Sequence, residues 1–80
     1  MGKKNKIKIT VNGKQTIINS NFSLKNLVDK LEIPLNKIAI EYNREIIDKK
    51  KIKKIVLSND DKVEIVHFIG GGWWKVKINL

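Results

Sequence analysis

The sequence contains no cysteine, which excludes disulfides, thiolate metal sites and cysteine nucleophiles. It has a single histidine, His67. One imidazole without a thiolate partner makes neither a metal centre nor a nucleophilic triad, so no metal site is expected. Arg44 is the sole arginine, although lysine and arginine together number 17 and the formal net charge is +9. Arginine supplies the forked contacts that phosphate and base recognition favour. A lysine excess spread along the whole chain is therefore read as a solvated surface ahead of a nucleic-acid interface. No apolar run approaches the roughly 20 residues that cross a bilayer. The opening "MGKKNKIKIT" lacks the apolar stretch of a signal peptide, and Lys6 stands where a myristoylation motif wants Ser or Thr. A cytoplasmic protein is the expectation. Neither a P-loop nor a GxGxxG is present, so no self-contained enzyme and no bound cofactor are expected.

What is there reads as one small domain of 80 residues with a thin core. "KIKITV" at 6–11 alternates, with Ile7, Ile9 and Val11 on one face, as a half-buried strand does. "NGK" at 12–14 predicts a hairpin turn and 15–19 its return strand. Ser23 can cap a helix over 24–32 whose Leu24, Leu27, Val28 and Leu31 fall on one stripe, and Pro34 stops it. "KIAIEY" at 37–42 predicts a third strand, "NRE" a turn, and 46–47 a short fourth strand. The lysine-heavy 48–57 reads as a connection with one helical or 3-10 turn. "KVEIVHFI" at 62–69 is the most apolar strand and is expected at the sheet centre. This order predicts an α+β domain, a mixed sheet with one main helix on one face. Leu27, Val28, Ile40 and Ile65 should be among its most buried residues.

Two features carry functional possibilities. Glu41, Glu45, Asp48, Asp60 and Asp61 cluster near turns and read as surface acids ahead of acid–base catalysts; no catalytic residue is assigned. In strand 62–69, parity places Val63 and Ile65 inward and Glu64, Val66 and Phe68 outward. Val66 and Phe68 would then form an apolar pair on the open sheet face, of the kind that marks partner surfaces. After the strand come Gly70, Gly71 and Gly72 and then "WWKVKINL". The glycines can be the loop of a hairpin, or a narrow extended arm that reaches another protein's active site.

The segment "VEIVHFIGGG" at 63–72 resembles the end of ThiS-type sulfur carriers, whose chains stop at a diglycine. "IAIEYNREII" at 38–47 and "VNGK" at 11–14 resemble that family's inner turns and strands. The likeness runs from about residue 7 to residue 72. It implies the ubiquitin-like β-grasp, with strand 6–11 beside 62–69 in parallel and strand 37–42 on its other side. It also implies a chemistry. An E1-like adenylyltransferase uses ATP to adenylate the last glycine, sulfur replaces the adenylate, and thiazole synthase takes the sulfur for thiamine. By the resemblance Gly72 carries the thiocarboxylate, Gly70 to Gly72 form the arm, and Val66 and Phe68 face the activating enzyme.

This sequence departs from that pattern where it matters. Gly72 is followed by Trp73, so its carbonyl is in a peptide bond and offers no carboxylate. The reading is therefore a carrier domain at 1–72 and an extension at 73–80 that a processing protease removes. Its rivals are a β-grasp interaction module that never carries sulfur, and a carrier for molybdopterin or tRNA thiolation. The extension has a strand's period. Because both sides of 62–69 are taken in the β-grasp, a simple hairpin is not expected. The extension should fold over a sheet face, reach another edge or pair with another molecule, with the outer face favoured because Val66 and Phe68 give Trp74 an apolar surface. It is expected to be ordered, to cover or extend the sheet and to mask the carrier surface until it is removed, the alternative being a disordered tail ready for a protease.

Overall fold

The computed structural model describes residues 5–69 and 74–77, with side chains described from 5 to 67. Strand β1 (Lys6–Val11) turns through Asn12 and Gly13 into β2 (Lys14–Asn19). Both turn residues have positive φ, 49° and 81°, the requirement of the two-residue turn that matches strand twist. The return strand therefore begins at Lys14, paired with Val11.

Helix α1 (Leu24–Leu31) starts with a reciprocal cap. The Asn26 amide donates to Ser23 Oγ at 3.0 Å and the Ser23 amide donates to Asn26 Oδ1 at 2.9 Å. It ends with Glu32 in the left-handed region at φ 57°, two residues ahead of Pro34. Its buried face is Leu24, Leu27 and Val28. Two 3-10 segments follow, Leu35–Lys37 and Lys49–Lys54. Between them lie β3 (Ile38–Tyr42) and the two-residue β4 (Glu45–Ile46). Lys37 thus belongs to the 3-10 turn, and β4 starts one residue earlier than expected. Strand β5 (Lys62–Ile69) and strand β6 (Trp74–Lys77) complete the chain's described elements.

The sheet runs β2-β1-β5-β3-β4, with β6 also on β5. The β1–β5 pair is parallel and the other pairings are antiparallel. This is the mixed α+β arrangement of a β-grasp, with β5 central. Leu27, Val28, Ile40 and Ile65 are all at most 2% exposed, as the helix stripe and strand parity required. Each such side chain contributes on the order of 1.5–3 kcal/mol by leaving water. Ile52 from the lysine-heavy segment joins the same core, so one apolar anchor holds "KKKIKK" against the domain.

The sequence-based expectation for the extension was wrong in one respect. Strand β1 pairs with β5 at just two positions, Thr10 with Lys62 and Val11 with Val63. The tight Asn12–Gly13 turn then carries the chain away, so the far half of that edge is open to another strand. Strand β6 takes it, pairing Val66 with Lys77, His67 with Val76, Phe68 with Lys75 and Ile69 with Trp74. The extension therefore extends the sheet, one of the two expected arrangements, by the hairpin pairing that was not expected, and Trp74 stands opposite Ile69 rather than over the face of Val66 and Phe68.

Candidate functional site

The candidate site is the end of β5 and what surrounds it. β5 is held by two turn asparagines, one on each edge. On the β1 side, the Ile65 amide donates to Asn12 Oδ1 at 2.7 Å and Asn12 Nδ2 donates to the Ile65 carbonyl at 3.1 Å. On the β3 side, the Lys62 amide donates to Asn43 Oδ1 at 2.8 Å, and the Asn43 amide donates to the Lys62 carbonyl at 2.7 Å. Asn43, like Asn12, has a positive φ, 51°. Asparagine tolerates this region because its short amide bonds to nearby backbone. The two turns brace the first half of β5, and its second half pairs with β3 at Val66 and His67 and with β6 from Val66 to Ile69.

Of the residues expected to act, Val66 is half-buried and pairs with Ala39 on β3 and Lys77 on β6. Phe68 pairs with Lys75 through the backbone. Gly70, Gly71 and Gly72 lie outside the described residues. The same outer face carries Glu64 opposite Glu41, and Ile46 opposite Glu41 on the other side. Ile46 is 71% exposed. Two like charges directly opposite on a sheet are unfavourable on their own. Glu64 has Lys62 Nζ at 3.9 Å, a partly exposed pair of small energetic weight. Sequence reasoning missed the contribution of Ala39, Ile46 and the glutamate pair, because they reach this face through cross-strand register.

The turn acids divide. Asp48 caps the Lys49–Lys54 segment by accepting from the Lys50 amide at 2.9 Å. Asp61 is no surface acid: it is 8% exposed. It accepts from Tyr42 Oη at 2.6 Å, Asn43 Nδ2 at 3.1 Å and the Ser58 amide at 2.7 Å. Burial, followed by the bond to Asp61 and its negative charge, pushes the Tyr42 hydroxyl up to about 12. This knot ties the 58–61 turn to the β3–β4 turn and so fixes where β5 begins. Lys49, read as one of a solvated run, is a structural residue: its Nζ donates to the Leu35 and Ile38 carbonyls at 3.0 and 2.8 Å. Among the described residues no group of three or more His, Asp or Glu could hold a metal, and no helix is long and apolar enough to cross a membrane.

The site is the end of the central strand β5, after which the sequence continues into three glycines. Comparison with known proteins bears on the whole domain. The ThiS family model matches residues 4–72. The chain is 33% identical over 66 residues to a thiazole synthase of Paramagnetospirillum magneticum, covering 82% of this chain and 20% of that protein. It thus spans about a fifth of the length of that relative. It is 34% identical over 50 residues to the sulfur carrier protein ThiS of Bacillus subtilis, covering 62% of this chain and 76% of that one. The crystal structure of the thiamine biosynthesis protein ThiS from Geobacter metallireducens superposes with a TM-score of 0.71 at 25% identity, covering 82% of this chain and all of that one.

Proposed function

The chain belongs to the ThiS family, and from that premise we propose that it is the precursor of a sulfur carrier for thiazole formation in thiamine biosynthesis. The observation that carries the reading is that the family likeness runs to Gly72 and stops there, at the third of the glycines that follow the central strand in sequence. A processing protease cuts the Gly72–Trp73 bond and leaves a terminal carboxylate. An E1-like adenylyltransferase joins that carboxylate to the AMP portion of ATP and releases pyrophosphate. A sulfur donor then displaces AMP, and a thiocarboxylate remains on Gly72. Thiazole synthase consumes the sulfur and returns the carboxylate.

The chain's own part is to present, and the partners supply the catalysis. Gly70, Gly71 and Gly72 lack Cβ atoms, so an extended arm of them fits a channel too narrow for other residues. Val66, with Ala39 opposite it on β3, and Phe68 give the adenylyltransferase an apolar surface to hold. Activation then gains from positioning and from charge stabilisation inside the partner's site. The proposal gives the carrier no cofactor of its own and sets it in the cytoplasm beside its enzymes.

The experiment is ATP–pyrophosphate exchange with the cognate adenylyltransferase. The chain ending at Gly72 should support exchange and the full chain should not, because a peptide carbonyl is not a substrate for adenylation. Equal exchange from both, with no cleavage seen by mass, would remove the requirement for processing.

A second reading rests on one observation, the pairing of β6 with β5. On it the glycines are a hairpin loop and the domain is an interaction module that keeps its extension and never carries sulfur. It predicts an uncut chain in the cell.

A further inference from the structure

The edge of β5 that faces β1 is occupied in three successive ways. Thr10 and Val11 pair with its first two residues. The Asn12 side chain satisfies both backbone groups of Ile65. Strand β6 covers 66–69. Backbone groups on one edge of a strand alternate, and the Val63 carbonyl accepts from the Asn12 amide. The groups of His67 and Ile69 therefore face β6. Removing 73–80 uncovers those groups on a strand whose other edge is already bonded to β3. Such an edge is a template for another extended chain.

We infer that the β5 edge at 66–69 is a strand-docking site, filled in the intact chain by its own β6 and, after processing, by an extended segment of the adenylating partner. This rests on the proposed removal of 73–80. The occupant's chemistry is drawn by β6 itself. Its Trp-Lys-Val-Lys alternates apolar with cationic residues, and the register sets the lysines opposite Phe68 and Val66, next along the strand from Glu64. The partner segment runs antiparallel to β5 with the same alternation. Asn12 limits its length, because the Ile65 groups are already bonded, so the docked strand is short and its register fixed. While the tail is attached, its effective concentration is on the order of millimolar. A separate strand at lower concentration is excluded until the tail is cut. The edge thus makes processing a prerequisite for docking as well as for chemistry.

The test uses the chain ending at Gly72 and a synthetic peptide of residues 73–80 as the probe. Amide exchange at His67 and Ile69 is read by NMR, without ATP, enzyme or sulfur, so the result stands apart from whether Gly72 is thiocarboxylated. Relative to the full chain, both amides should exchange faster in the shortened one. They should slow about tenfold at a peptide concentration roughly ten times its Kd. Peptide N-methylated at Trp74 and Val76, whose amides face β5, should lose the effect. Peptide N-methylated at Lys75 and Lys77 should keep it. No slowing at millimolar peptide, or equal behaviour of the two methylated peptides, overturns the docking edge. Concentration-dependent protection of the same amides in the shortened chain alone overturns the assignment to a partner and gives the edge to a second copy.

Discussion

Asn12 stands in for a missing strand residue beside Ile65. Its side-chain amide accepts from the Ile65 N–H at 2.7 Å and donates to the Ile65 carbonyl at 3.1 Å, at the point where β1 leaves the central strand. Asn12→Ala should cost about 2 kcal/mol or more, since two backbone groups lose their partner and alanine disfavours φ 49°. Asn12→Gly removes the bonds without the backbone strain and should cost less. Urea unfolding of the two variants measures the difference. Both within about half a kcal/mol of the parent would show that water replaces the amide freely.

Tyr42 gives the fold an alkaline limit. Its hydroxyl is pushed up to about 12 from the ordinary 10.0 by burial and by Asp61. In the unfolded chain it loses its proton near 10, so above that pH the unfolded state binds fewer protons than the folded state. Stability contributed by this group is whole below pH 10 and is lost as pH rises toward 12. Lysines also titrate there, so the measurement is the difference between the parent and Tyr42→Phe. The parent should fall more steeply across this window. Parallel curves would contradict the Tyr42–Asp61 bond.

Lys49 and Lys50 are neighbours with different work. Lys49→Met removes a cation from two carbonyls, those of Leu35 and Ile38, and should destabilise by about 1–2 kcal/mol. Lys50→Met should stay within about half a kcal/mol. Thermal melts of the pair settle the comparison, and equal effects would return Lys49 to the solvated run.

Val66 tests the partner face. Val66→Asp places a charge beside Ala39 and Glu64 on the outer side of the sheet. In the chain ending at Gly72 it should weaken binding to the adenylyltransferase at least tenfold, the equivalent of about 1.4 kcal/mol. The domain should stay folded. A collapse in melting temperature, with binding unchanged for the folded fraction, would make Val66 a core residue.

Much of the fold is legible because it is local. Alternation in 6–11 and 62–69, the Asn12–Gly13 turn and the Leu24, Leu27, Val28 stripe each report on a few adjacent residues. What stayed hidden depends on long-range register. Nothing near Asn12 in sequence says that it bonds to Ile65, nor does "SNDD" say that Asp61 alone is buried. The position of the extension turns on how far β1 accompanies β5, which is two residue pairs. One pair fewer or more is invisible in the hydrophobic pattern, yet it decides whether an edge is open. The outer face was half legible: parity gave Val66, which pairs with Ala39, while Ala39 and Ile46 arrive from other strands.

The central claim is that this chain becomes a sulfur carrier by losing 73–80 and gaining sulfur on Gly72. The most direct measurement is the intact mass of the protein isolated from its own cell. The account predicts a species ending at Gly72, with a fraction heavier by the replacement of one oxygen by sulfur. A full-length chain through Leu80, with no shortened form under conditions that demand thiamine synthesis, would contradict it.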